Sequence, residues 1–164
     1  LKKKEMAFIC EVKKASPSKG LIDPVFDYKT IAANYQAAGA ECVSCLTEPK
    51  WFLGSDAIFE EVRKKYPEGR FFYCTTKAKN TYSDINYTED KDSDIFLVFG
   101  KETKGLPETL LAENYQNCIR IPMKENKRSL NLSNSVAIIA YEVLRQADFE
   151  NLEKEGALRD TYSN

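Results

Sequence analysis

The densest chemistry in the chain is Phe99-Gly100-Lys101-Glu102-Thr103-Lys104-Gly105-Leu106-Pro107, where an apolar run meets a glycine-bracketed loop and then a helix start. Such loops let backbone approach a ligand closely. A second concentration follows Ile119-Arg120-Ile121-Pro122-Met123: a basic stretch over 124–128, then Ser129-Leu130-Asn131-Leu132-Ser133-Asn134-Ser135. Three hydroxyls and two amides in seven positions could hold a ligand. One of Ser129, Asn131 or Ser133 could equally cap the helix that follows, and residue chemistry alone leaves both readings open. Lys101, Lys104, Lys124, Lys127 and Arg128 share these loops, as phosphate-binding residues do and as plain solvated surface does. Glu102 is the local carboxylate, available for chemistry or for pairing with Lys104.

Two absences narrow the options. The chain has no histidine, which removes the commonest general base near neutral pH and the commonest metal ligand together. Any catalysis must use carboxylates, Lys, Tyr, Cys or Arg, and no metal is expected. Cys10, Cys42, Cys45, Cys74 and Cys118 are an odd number set mostly in apolar runs, which reads as reduced, small core residues in a cytoplasmic protein. Cys42 and Cys45 form a C-x-x-C, but 41–46 reads as a strand, where positions three apart face opposite ways. Neither a redox nor a zinc role is expected of them.

The elements that must carry these loops follow from periodicity. Apolar runs at 7–12, 42–47, 70–75, 95–99 and 118–121 read as strands. Between them lie a helix over 27–38 with Asp27 as N-cap, Gly39 as its stop and Ile31, Ala32, Tyr35 and Ala38 inward, and a helix from Ser55 that buries Ile58, Phe59 and Val62. Tyr66-Pro67-Glu68-Gly69 is a turn. A short helix over 107–113 and a long one over 132–146 complete the pattern. The alternation predicts an α/β fold: a single domain built on one parallel sheet with crossover helices. The stretch 77–94 has little period and reads as a long surface connection, and the tail beyond Phe149 as a fraying end.

Length and composition bound the answer. At 164 residues with 24 basic and 25 acidic side chains, the chain is one ordinary globule, too short for a closed eight-unit barrel and not uniformly basic. No run nears the roughly 20 apolar residues that cross a bilayer, so no membrane association is expected. The start, Leu1-Lys2-Lys3-Lys4, reads as trimmed rather than as a signal peptide.

Residues 69–146 closely resemble the SPOUT-class tRNA 2′-O-methyltransferases, the small family that methylates the ribose of the wobble nucleotide. The matching stretches are Phe72-Tyr73-Cys74-Thr75-Thr76-Lys77, the 99–107 loop, and 119–146 with Arg128-Ser129-Leu130-Asn131-Leu132-Ser133-Asn134-Ser135 and Tyr141-Glu142. The resemblance implies a carboxyl-terminal trefoil knot, a homodimer, S-adenosylmethionine as cofactor and the anticodon region of tRNA as partner. It sets Cys74, Thr75 and Thr76 beside the cofactor and gives Gly100 and Gly105 its close approach. Ile121, Met123 and Leu130 would line the adenine pocket, with Glu102, Ser129 and Ser135 completing the site. Arg128, Asn131 and Tyr141 take the catalytic roles. Methyl transfer from a sulfonium to a hydroxyl needs in-line positioning and help with one proton, which suits a chain without histidine.

Residues 8–55 resemble a different family, indole-3-glycerol phosphate synthase, a (β/α)8 barrel. The motifs are Phe8-Ile9-Cys10-Glu11-Val12-Lys13-Lys14-Ala15-Ser16-Pro17-Ser18-Lys19-Gly20 and Leu46-Thr47-Glu48-Pro49-Lys50-Trp51-Phe52-Leu53-Gly54-Ser55. They correspond to the first two strand-loop units of the barrel, with Glu11, Lys13, Ser16 and Phe52 matching active-site positions. The chain thus resembles a chimera, a barrel-derived βαβα over 1–57 joined to a methyltransferase-like segment over 58–164.

The exchange matters for mechanism. The methyltransferases carry Asn-x-Gly-Asn and an Arg at their first helix, and this chain has Tyr28-Lys29-Thr30-Ile31-Ala32-Ala33, with Ala33 about where the Arg would fall. Three functions follow as expectations: a cofactor-binding methyltransferase or an impaired derivative of one, a non-catalytic recombined scaffold, and an inactive synthase fragment.

Overall fold

Apolar runs of four or five residues bounded by turn residues form strands, and the intervening segments of helical period form helices, in a mixed α/β fold with parallel sheets. A computed structural model describes residues 9–40, 42–90, 93–102, 104–125, 129–150 and 152–156. These fall into two compact units: the residues up to Lys65 together with 152–156, and Tyr66–Glu150.

In the first unit, β1 (Ile9–Val12) pairs in parallel with β4 (Cys42–Cys45), Val12 opposite Cys45, and the ladder continues as the Leu46 amide donates to the Val12 carbonyl at 3.1 Å. Between them, β2 (Ala15–Ser16) and β3 (Gly20–Leu21) form a small antiparallel pair. α1 (Tyr28–Ala37) starts at Asp27, whose carboxylate accepts from the Thr30 amide, and stops at Gly39 in the left-handed region with φ +79°. α2 (Asp56–Lys65) has Asp56 in its first turn and Arg63, Lys64 and Lys65 in its last, a sequence complementary to the helix dipole. Val12, Phe26 and Ile58 are the buried centre, with Tyr28, Ile31, Ala32 and Tyr35 packed against them.

The second unit is a four-stranded, wholly parallel sheet of β5 (Arg70–Cys74), β6 (Asn80–Thr81), β7 (Ile95–Phe99) and β8 (Cys118–Arg120), in the order β6-β8-β5-β7. The chain leaves β5 toward one side, forms β6, and crosses to form β7 on the other. β5 therefore stands at a switch point, and the loops beyond the carboxyl ends of β5, β7 and β8 gather at one end of the sheet. α3 (Glu108–Glu113) and α4 (Leu132–Gln146) complete the unit. Phe72, Tyr87, Ile119 and Ile139 form its core, joined by Leu97, Phe99 and Val143.

The structure corrects several expectations. The described strands form three sheets rather than the single parallel sheet that alternation suggested, because strand period specifies that a segment pairs and not with which partner. The stretch 77–94 is no mere surface connection. Its Asn80–Thr81 extends the sheet beside β8, and Tyr87 is 1% exposed, its hydroxyl donating to the Tyr82 carbonyl. Ala38 is exposed, since α1 ends one residue before it. Cys45 is exposed as well, while Cys118 is buried. No helix among the described residues is long and apolar enough to cross a membrane.

Candidate functional site

Three loops at the carboxyl ends of β5, β8 and β7 enclose a cleft of about 480 Å³ in the second unit. The first, 74–77, is fixed where the Thr75 amide donates to the Ile119 carbonyl at 2.9 Å and the Lys77 amide to Thr75 Oγ1 at 3.3 Å. The second, 100–106, is a tight turn closed by the Gly105 amide donating to the Lys101 carbonyl at 2.8 Å. The third runs from Ile121 and Met123 to Ser129, Leu130 and Asn131, then into the first turns of α4.

The glycines of the second loop serve the loop itself. A β-carbon on Gly100 would collide with the backbone of Gly105 and Leu106, so its missing side chain lets the turn close upon its own start. Gly105 adopts φ +68° and has open space around it. Gly100 thus allows the close approach of its own chain, and it also lines the cleft.

The cleft has an apolar floor of Ile119, 0% exposed, and Ile139, 1% exposed, with Phe99, Leu106 and Leu132 beside them. Hydroxyls of Thr75, Thr76, Ser129 and Ser135 and the loop backbones form a polar rim. Lys77, Lys101 and Lys104 outnumber Glu102 at its edge, although Lys77 is paired with Glu108. Burial, and next the neighbouring Cys118, push the Cys74 thiol well above the ordinary range, so it lines the cleft as a neutral apolar group. An apolar floor under a polar rim suits a flat ring system with a hydrogen-bonding periphery.

All eleven residues that the family resemblance assigns to cofactor binding line this cleft: Cys74, Thr75, Thr76, Gly100, Glu102, Gly105, Ile121, Met123, Ser129, Leu130 and Ser135. Of the three residues assigned to catalysis, the two that are described, Asn131 and Tyr141, are not brought together. Asn131 lines the cleft, but its Oδ1 caps α4, accepting from the Ser133 amide at 3.0 Å, the Asn134 amide at 3.4 Å and the Ser133 hydroxyl at 2.5 Å. Only its Nδ2 is left to face a ligand. Tyr141 is 61% exposed and lies two residues beyond Ile139, about 200° round the helix, so it faces away from the cleft. Arg128 and Lys127 lie outside the described residues.

The floor residues Leu132 and Ile139 were not singled out by sequence. Their signal was the 132, 135, 139 spacing, which sets them on one helical face with Ser135. Lys77, at the end of the first loop, closes the matching stretch 72–77 and carries no signal of its own.

The other proposed group belongs to the first unit. Lys13 pairs with Glu11 on β1, Ser16 Oγ accepts from the Lys19 amide at 3.2 Å, and the Phe52 carbonyl accepts from the Ala15 amide at 3.2 Å. The loops after β1 and β4 are thus tied together at their strand ends. No cluster of three or more His, Cys, Asp or Glu placed to hold a metal occurs among the described residues.

Two family models match the chain. Residues 55–141 match the SpoU rRNA Methylase family, and residues 1–69 match indole-3-glycerol phosphate synthase. A "putative tRNA (cytidine(34)-2′-O)-methyltransferase" of Listeria monocytogenes is 52% identical over 96 residues, covering 58% of this chain and 56% of the relative. An indole-3-glycerol phosphate synthase of Ruminiclostridium cellulolyticum is 60% identical over 60 residues, 37% of this chain and 23% of the relative. The chain therefore spans about half the length of the curated methyltransferases it matches, and about a quarter of that synthase. The crystal structure of a "putative RNA methyltransferase" from Bacillus anthracis is similar at TM-score 0.57 and 32% identity, covering 76% of this chain and 75% of that one. With more than half of its length in the matching segment, the chain belongs to the SpoU methylase family and carries an amino-terminal segment similar to indole-3-glycerol phosphate synthase.

Proposed function

We propose that the cleft binds S-adenosylmethionine and that the chain is a SPOUT-type tRNA ribose 2′-O-methyltransferase acting at the wobble nucleotide, or a derivative impaired by its exchanged amino terminus. The observation that carries this reading is the convergence of the eleven cofactor-site residues, drawn from three separated stretches of sequence, on one cleft. The fit is chemical as well. The floor accepts an adenine ring, the rim offers hydroxyls and backbone groups to a ribose and an amino acid, and Glu102 offers a carboxylate to a cationic centre.

When bound, S-adenosylmethionine supplies a methyl group activated by its sulfonium. The chain's own part is to orient the donor against the ribose hydroxyl and to exclude competing geometries. Ile121, Met123 and Leu130 hold the adenine, and Lys101, Lys104, Lys124 and Lys127 meet RNA phosphates. Arg128 and the free Nδ2 of Asn131 orient the ribose. Tyr141 shares an outward face of α4 with Asn134, Ile138 and Arg145, and we read that face as the contact of a homodimer through which Tyr141 reaches the partner's site. The finer features of the fold, a trefoil knot in the second unit and two barrel-derived strand-loop units in the first, belong to the same reading, as does a cytoplasmic setting.

Calorimetric titration with S-adenosylhomocysteine, alongside the melting temperature, tests the cleft. Saturable one-to-one binding with a raised melt supports it, and no binding at saturating ligand overturns it in favour of a scaffold. Transfer of labelled methyl groups to tRNA then separates an active enzyme from an impaired one. Ala33, about where the family's Arg would fall, is the sequence feature that favours impairment.

A further inference from the structure

The first and second loops of the cleft come from distant stretches of chain, and one residue fastens them together. The Lys77 amide donates to Thr75 Oγ1 at 3.3 Å, its carbonyl accepts from the Tyr115 hydroxyl at 3.2 Å, and its ammonium pairs with Glu108. Glu108 is the first residue of α3, where the 100–107 loop becomes helix, and Tyr115 opens the short 3-10 turn beyond it. Lys77 is thus anchored at the first residue of α3 and again beyond its end, while lining the cleft beside Thr75 and Thr76.

We propose that Lys77 is a positioning residue: its pairing with Glu108 and its hydrogen bond from Tyr115 set the spacing between the two loops and so the width of the cleft. Its consequence for ligand affinity rests on the cofactor reading above, but the fastening itself does not. The two side chains are 56% and 73% exposed, so the pair sits in a high dielectric and is screened by salt. Cleft width, and with it affinity, is therefore sensitive to ionic strength.

The test compares the full chain with Lys77→Met, Glu108→Gln and the charge swap K77E/E108K at low and high salt. Amide hydrogen exchange over 76–79 is followed without ligand, and S-adenosylhomocysteine is titrated into the same samples. In either single variant, exchange is expected about two- to five-fold faster and the Kd higher by the same factor, with the melt within roughly 2 °C of wild type. The wild type approaches these values in high salt, the single variants show no salt response, and the swap recovers most of the protection. Unchanged exchange in both single variants overturns the proposal, as does a swap that recovers nothing. A wild type that binds no S-adenosylhomocysteine overturns the cofactor reading alone, because exchange over 76–79 still reports the fastening.

Discussion

A β-carbon on Gly100 would stand 2.1 Å from the carbonyl carbon of Gly105, and 2.3 Å from the amide nitrogen beyond it. Real atoms do not approach so closely, and the obstacle is backbone rather than a side chain that can swing aside. Gly100→Ala must therefore open the turn that walls the cleft. It is expected to cost about 2–4 kcal/mol of stability and to weaken S-adenosylhomocysteine binding at least about ten-fold. Gly105→Ala meets only the penalty of its left-handed φ, about 1 kcal/mol, because nothing lies near its side chain. Melting and calorimetry on both variants check the order; a larger loss of binding at 105 than at 100 would contradict this account of the loop.

Asn131 combines a cap and a candidate contact, and the two separate by substitution. Asn131→Asp keeps the oxygen that accepts from the Ser133 and Asn134 amides and should leave the melt nearly unchanged. It replaces the free Nδ2, so methyl transfer, where the wild type shows it, should fall. Asn131→Ala loses the cap and about 1 kcal/mol with it. If the Asp variant transfers methyl groups as well as wild type, Asn131 is a cap and nothing more.

The thiols should react in an order set by exposure and ionisation. Cys45 is exposed, and partial desolvation raises its thiol, whereas Cys118 is buried and burial pushes the half-buried Cys74 thiol up much further, holding it protonated. Since the thiolate is the reacting species, Cys74 should alkylate far more slowly than Cys45 at neutral pH, and Cys118 more slowly still. Bound S-adenosylhomocysteine should slow Cys74 further and leave Cys45 untouched. Peptide mapping after timed iodoacetamide exposure gives the rates, and equal slowing of both would mean that the ligand acts elsewhere.

What the sequence revealed was local, and what it concealed was long-range. α4 was legible at both ends because an apolar stripe and a capping Asn131 agree over fifteen residues. The cleft residues were legible because their types recur together in a known family. β6 was not, since two residues have no period: Asn80 reaches its place through bonds from its side-chain amide to the Gln116 and Cys118 carbonyls, more than thirty residues on. Tyr87 is buried by partners equally remote, its amide donating to Gln146 Oε1 at 2.9 Å. Nor could spacing disclose that Asn131 spends its oxygen on the helix, or that Tyr141 turns away from the cleft, because each depends on which face of α4 packs inward.

Gln146 also makes the acid response of the second unit predictable. Its amide donates to the Ile85 carbonyl at 2.9 Å and to Glu142 at 2.8 Å, so Glu142 supports the bracket that holds the 85–87 backbone against α4. Hydrogen bonds from Arg145, then from Gln146, hold the Glu142 carboxyl down to about 2, against an ordinary 4.5. A depressed carboxylate contributes stability that is fully present above its unfolded value and lost as pH falls toward its folded one. The contribution should therefore be complete above about pH 4.5 and nearly gone at pH 2. Because the Arg145 side chain is 60% exposed, screening limits it to about 1 kcal/mol. Glu142→Gln should accordingly melt a few degrees below wild type at pH 7, and the two curves should converge on acidification. A gap that stays constant from pH 7 to 2.5 would mean that the carboxylate's charge contributes nothing and that only its shape matters to the bracket.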